Sequence, residues 1–367
     1  MKRILAALLV GTMAVTSLVG CSSEEGSTSA QGTQETTTED ALKVALLIPG
    51  TLGDKSFYDA ANNGIQKVKE ELGAEIKVVE MGTDQTKWEP TVLDFSEQDW
   101  DIIVSGSWDM TPIFNEVGEL YPDKKYINFD TTEPEVVDNV YAMCYRTNEL
   151  AFLAGSLAAL QAQEAGQNTI GFIGGADNPG INDFLVGYIE GAQYVNKDIK
   201  VATAYAGSFT DATKGKEVAL SMFNQGIDII FQVAGQTGLG VIDAAKELDK
   251  YVIGVDSDQA LAFMESDPEK AEHVVTSAIK KIDESILRAV NQHVEGTLPY
   301  GTHEVLGVAE GGVGLAKNEI YQSLVSEANQ AKIDEIEAKI SNGEVQVSTA
   351  FGLSNDEIAD LRESVRP

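Results

Sequence analysis

The chain has 367 residues, of which 58 are Asp or Glu and 26 are Lys or Arg, giving a formal charge of −32. So acidic a surface repels phosphate backbones and excludes nucleic acid as a partner; it favours solubility without implying a cationic ligand. Two cysteines in the whole chain support neither a disulfide framework nor a cysteine-based metal site.

At the N-terminus, Lys2 and Arg3 precede an apolar run over 4–19 that is too short for a comfortable membrane span, so residues 1–20 read as an export signal. Leu18-Val19-Gly20-Cys21 is similar to the lipobox of bacterial lipoproteins, which makes Cys21 the expected lipid anchor. Without the leader the balance is 24 basic against 58 acidic side chains, a charge of −34. From Ser22 to Ala41 the residues are mainly Ser, Thr, Gly, Gln and Glu; such a stretch buries too little to fold, and 21–41 is expected to be a tether. Cys144 sits in an apolar, strand-like run over 140–145 and is expected to be a buried thiol. The remaining body of about 325 residues exceeds what one core usually covers, which predicts two domains.

From Lys43 onward short β-branched runs alternate with amphipathic stretches. Strands are expected at 43–48, 76–81, 102–105 and 126–130, then again at 169–174, 201–206, 227–233 and 252–256, with helices such as 182–195 and 212–225 between them. Such alternation specifies an α/β fold with two doubly wound parallel sheets in tandem. A further strand at 274–281 is expected to return to the first sheet before a helix over 281–295. The expected lobes are 42–147 plus about 275–310, and 148–274 plus part of about 311–367, joined by a hinge. In the C-terminal piece 329–340 reads as helix and 345–351 as strand, packing across both lobes.

Ligands of open parallel sheets bind outside the carboxyl ends of the strands, where helix N-termini also point. The loop Pro49-Gly50-Thr51-Leu52-Gly53-Asp54-Lys55-Ser56-Phe57-Tyr58 follows the first strand; Ser107-Trp108-Asp109 and Asp130-Thr131-Thr132 follow the third and fourth. In the second half Gly174-Gly175-Ala176 leads toward Phe184, and Gly235-Gln236-Thr237-Gly238 and Asp256-Ser257-Asp258 lie at strand ends. Taken singly, an aromatic here serves core or ligand about equally, and an acid is more often a helix cap. Several acids converging on one rim favour binding.

Gly53-Asp54-Lys55-Ser56-Phe57, Leu153-Ala154-Gly155-Ser156-Leu157, Gly171-Phe172-Ile173-Gly174-Gly175, Ala234-Gly235-Gln236-Thr237-Gly238, Gly254-Val255-Asp256-Ser257-Asp258 and Thr276-Ser277-Ala278-Ile279-Lys280 occur in that order. Together they resemble the BMP/PnrA family of basic membrane lipoproteins, nucleoside-binding components of ABC importers with a type I periplasmic-binding-protein fold. The resemblance implies a purine nucleoside sandwiched between Phe57 and Phe184, with Asp130, Asp256 and Lys280 as polar partners and Asp54 and the Gly235 backbone beside them. It further implies a membrane permease as partner, a monomer held to the membrane by its lipid, and no cofactor. One departure is Tyr58, where the family usually has Asn; with Trp108 it leaves open another solute, such as a flavin or a sugar. A ligand-sensing lipoprotein is the alternative role.

Enzyme chemistry finds no support. There is no nucleophile elbow, P-loop or zinc-protease helix motif, and His273, His293 and His303 lack ligand-like spacing. The glycines of 235–240 do not follow the dinucleotide-binding pattern, and the Asp256-x-Asp258 start of a calcium loop lacks its third oxygen at Ala260.

Overall fold

The computed structural model describes residues 41–367; the export signal, Cys21 and nearly all of the tether lie outside the described residues. The first half contributes β1 (Lys43–Ile48), α1 (Phe57–Leu72), β2 (Glu75–Glu80), α2 (Trp88–Glu97), β3 (Ile102–Gly106), α3 (Met110–Leu120), β4 (Lys125–Phe129) and β5 (Val140–Tyr145). The second repeats the pattern with α4 (Thr147–Glu164), β6 (Thr169–Gly174), α5 (Pro179–Val195), β7 (Lys200–Tyr205), α6 (Ala212–Phe223), β8 (Ile229–Val233), α7 (Gln236–Leu248), β9 (Tyr251–Asp256), α8 (Gln259–Met264), α9 (Pro268–Ala271) and β10 (Val274–Lys280). There follow α10 (Ile282–Val294), β11 (Thr302–Leu306), β12 (Val313–Leu315), α11 (Glu319–Leu324), α12 (Glu327–Ser341) and α13 (Asn355–Ser364).

Two six-stranded sheets result, ordered β11-β5-β4-β3-β1-β2 and β12-β10-β9-β8-β6-β7. Pairing is parallel throughout except between β10 and β12. The interior strands β3 and β8 are buried along their whole length, as strands covered by helices on both faces must be, whereas the edge strand β2 alternates with solvent. The chain crosses between the sheets three times, at 145–147, 280–282 and 306–313. These crossings bond to one another: Arg146 N–H donates to Leu306 O (2.9 Å) and Lys281 N–H to Gly312 O (2.9 Å).

In the second lobe, α4 is apolar on nearly every side and lies against α5 at very close range. Glycine makes that approach possible: a Cβ on Gly155, Gly187 or Gly191 would come within 2.0–2.1 Å of the carbonyl oxygens of Tyr188, Asn148 and Phe152 respectively. Gly191→Ala is therefore expected to lower the unfolding free energy by about 1–3 kcal/mol, because the backbone of α4 must retreat. Urea denaturation checks this, and an unchanged midpoint would mean the two helices separate freely.

Three expectations are corrected. The strand at 274–280 joins the second sheet, beside β9, and not the first. Its apolar run marked it as a strand but could not choose the sheet; the short return through α8 and α9 sets it next to β9, and the crossing comes only at Lys281. Residues 345–351 form no strand, because their backbone groups bond to side chains: Asn148 Nδ2 donates to Val347 O, and Ala350 N–H to Asp183 Oδ1 (2.9 Å). The C-terminal piece does not straddle the lobes. It is tied to the second one through Val201 N–H donating to Val365 O (2.8 Å) and the Arg362–Asp177 ion pair (2.8 Å).

Candidate functional site

Each lobe runs its first five strands in the doubly wound order 2-1-3-4-5, which opens a crevice at the carboxyl ends where the order reverses. Just there four residues other than glycine take positive φ: Lys55 (φ 48°) in the loop after β1, and Ser107 (φ 102°), Asp130 (φ 61°) and Asp256 (φ 65°) at the ends of β3, β4 and β9. Such strain persists only where its surroundings hold it, and it concentrates at functional sites. Around Asp130 the support is visible: Thr131 N–H donates to Met143 O (3.1 Å), and its hydroxyl meets Thr111 Oγ1 (2.6 Å). A cavity of about 360 Å³ lies between the loops of the two sheets, within the range that suits a small organic ligand.

The β1–α1 loop is held by its own carboxylates. Asp54 accepts from the amides of Ser56 (2.9 Å), Tyr58 (2.9 Å) and Asp59 (3.1 Å), while Asp59 accepts from those of Gly53 (2.9 Å) and Lys55 (2.8 Å). The N-terminus of α1 is thus capped internally. Burial pushes the Asp54 carboxyl up to about 6, against the pull of those amides. Tyr58 donates its hydroxyl to Pro49 O (3.0 Å) and lays its ring on Gly50, so the phenol braces this loop. Across the cleft the loop meets the second lobe: Ser56 Oγ donates to Asp256 Oδ2 (2.7 Å), Ser257 Oγ to Lys55 O (2.7 Å) and Lys55 Nζ to Ala262 O (2.9 Å).

Lys280, the last residue of β10, is the centre of the arrangement. Its ammonium lies 2.7 Å from Asp130 Oδ2 and 3.8 Å from Asp256 Oδ1, joining carboxylates of opposite lobes. It also stands 5.3 Å from the ring centroid of Phe57 and 5.2 Å from that of Phe184, distances at which a cation is attracted to both rings. Burial by itself would lower the pKa of Lys280, but Asp130 and Asp256 more than offset it and hold it above the ordinary value. Burial raises Asp256 as well, and Lys280 and the Ser56 hydroxyl draw it back only in part.

All nine residues singled out from the sequence line this one cavity: Asp54, Phe57, Tyr58, Trp108, Asp130, Phe184, Gly235, Asp256 and Lys280. They are not equivalent. Phe57 is half-buried and packs on Phe129 (5.5 Å between centroids), whereas Phe184 is 3% exposed and leans on Phe231 (6.3 Å) as part of the core. Gly235 turns the chain into α7 at φ 55°, ψ −132°, a conformation open to glycine almost alone. Sequence reasoning missed Phe209 and Phe351, which also face the cavity; Phe209 follows the carboxyl end of β7, a strand end passed over in the sequence, and Phe351 sits in the C-terminal segment. Cys144 is half-buried rather than fully buried, and burial pushes its thiol up to about 12. Among the described residues no cluster of His, Cys, Asp and Glu is arranged for a metal ion, and no helix is long and apolar enough to cross a membrane.

The model of the family described as "ABC transporter substrate-binding protein PnrA-like" matches residues 41–350. Basic membrane protein A of Borreliella burgdorferi is 35% identical over 314 residues, covering 83% of this chain and 87% of that protein. The ABC transporter nucleoside-binding protein BmpA of Lactococcus lactis is 30% identical over 359 residues, 93% of this chain and 98% of its own. Among solved structures, an ABC transporter solute-binding protein of Aeropyrum pernix superposes with a TM-score of 0.76 at 27% identity, over 88% of this chain and 97% of that one. The chain belongs to the PnrA-like family of ABC transporter substrate-binding proteins, a family of binding proteins and not of enzymes.

Proposed function

We propose, from that membership, that this chain is an extracytoplasmic protein, lipid-anchored through Cys21, that captures purine nucleosides and delivers them as a monomer to an ABC permease. The observation that carries the reading is the placing of Phe57 and Phe184, from opposite lobes, within 5.3 Å of one ammonium flanked by Asp130 and Asp256. In this reading a flat base stacks between the two rings, and stacking contributes on the order of 1–3 kcal/mol per base. Carboxylates beside it accept from ribose hydroxyls in charge-assisted bonds. The name of the Lactococcus relative, a nucleoside-binding protein, points the same way. Residues 41–147 with 281–310 form one lobe in this reading, and 148–280 with 311–367 the other, ligand holding them closed.

A thermal-shift screen of residues 41–367 against purine and pyrimidine nucleosides, free bases, riboflavin and simple sugars tests it, with calorimetry on each response. Guanosine, adenosine or inosine is expected to raise the melting temperature; silence from all three with a response to another solute overturns the ligand class. Nucleoside 5′-monophosphates are expected to bind more weakly than their nucleosides by at least about tenfold, since like charges brought together cost several kcal/mol. Asp54, Asp109, Asp130 and Asp256 line the cavity, with Lys280 as its one basic side chain among the described residues, and that ammonium is already paired. Equal affinities for nucleoside and monophosphate would contradict this electrostatic account.

A further inference from the structure

The two lobes also grip each other beside the cavity. Lys55 from one and Asp256 from the other both take left-handed backbone, at φ 48° and 65°, and each is followed by a serine. The serines cross over: Ser56 Oγ donates to Asp256 Oδ2 (2.7 Å), and Ser257 Oγ donates to the carbonyl of Lys55 (2.7 Å). A left-handed residue other than glycine costs free energy and persists only where its surroundings hold it. Here each lobe helps to hold the strained residue of the other.

Lys55 adds a second hold through its side chain. Its ammonium donates to Ala262 O (2.9 Å) and lies 5.1 Å from the ring centroid of Phe263, both on α8. Ala262 stands in the last turn of that helix, where carbonyls have no intrahelical amide to accept from and a cation is favoured; the neighbouring ring attracts the same charge. Lys55, Ser56 and Ser257 are absent from the lining of the cavity, whereas Asp54, Phe57 and Asp256, their neighbours in sequence, belong to it. Lys55 thus fixes ligand-facing residues of both lobes against each other from outside the cleft.

We propose that Lys55 and Ser257 are affinity-determining residues that never touch the ligand: they latch the β1–α1 loop to the β9–α8 turn and so set how long the closed cleft stays shut. The inference rests on the reading in which ligand holds the lobes closed. Parting the lobes at this point breaks all three bonds, whichever solute lies inside. A weakened latch therefore lowers the closed population and with it the affinity of every ligand by one common factor. A side chain in contact with the base would instead discriminate between ligands.

The test measures adenosine and guanosine on the full chain and on its Lys55→Met and Ser257→Ala variants, by calorimetry and by stopped-flow tryptophan fluorescence. Lys55→Met keeps the stem but loses the donor, and is expected to raise both Kd values about tenfold; Ser257→Ala should raise them about fivefold, as for the loss of a charged and of a neutral hydrogen bond. Each factor should be the same for the two nucleosides and appear as faster dissociation. Kd values that both variants leave within about twofold of the parent's, or losses that differ between adenosine and guanosine by more than about threefold, would overturn the latch. If neither nucleoside binds, the nucleoside reading falls by itself and small-angle X-ray scattering without ligand decides the latch. A larger radius of gyration for Lys55→Met than for the parent then supports it, and superimposable profiles refute it.

Discussion

Lys280→Met should lower the unfolding free energy by about 3–5 kcal/mol at pH 7, the usual consequence of removing one partner from a buried ion pair. Methionine keeps the stem's volume but leaves Asp130 and Asp256 facing each other without the ammonium that lies 2.7 and 3.8 Å from them. The deficit is expected to shrink as the pH falls. Asp256 is already raised by burial while Lys280 opposes the shift, so without Lys280 its folded pKa lies higher still. A carboxyl whose folded pKa exceeds its unfolded value disfavours the fold once ionised, and that penalty disappears as the pH drops through the folded pKa. Urea titrations of both proteins at pH 7 and pH 5 check this. A deficit independent of pH would mean that lost packing, and not unpaired charge, sets the cost.

Truncating the two rings should separate binding from stability. Phe57→Ala is expected to weaken a purine nucleoside by roughly 5- to 150-fold, the equivalent of about 1–3 kcal/mol of stacking, at modest cost to the fold because Phe57 is only half-buried. Phe184→Ala should bring a similar loss of affinity together with about 3–5 kcal/mol of destabilisation, the range for emptying a core aromatic site, since Phe184 is 3% exposed and packs on Phe231. Calorimetry at a temperature where both variants remain folded gives the first quantity, and denaturant titration the second. Were Phe184→Ala to bind normally once folded, the ring would be core alone and the sandwich would lose its second face.

The candidate site was legible to the extent that it follows from strand ends. Asp130 and Asp256 lie at the ends of β-branched runs that a parallel-sheet reading ends there, whereas Lys280, which closes β10, came from resemblance. Phe57 and Phe184 came from resemblance, because an aromatic in a helix's first turns packs inward as readily as it faces a ligand. The role of Tyr58 was not legible at all: its bond to Pro49 O depends on how the β1–α1 loop folds back, which Asp54 and Asp59 settle through five backbone amides.

By itself the sequence determined the alternation of strand and helix, hence two doubly wound sheets, since burial on one or both faces writes its period into each segment. Periodicity is local and carries no record of which neighbour a segment pairs with. Tertiary structure alone decided that β10 lies beside β9, that 345–351 bonds to side chains instead of a strand, and that the ring of Phe209 rests on Gly175 and that of Trp108 on Gly180. Each of these is a contact between residues distant along the chain, chosen by competition among many apolar partners, and no single segment holds the terms of that choice.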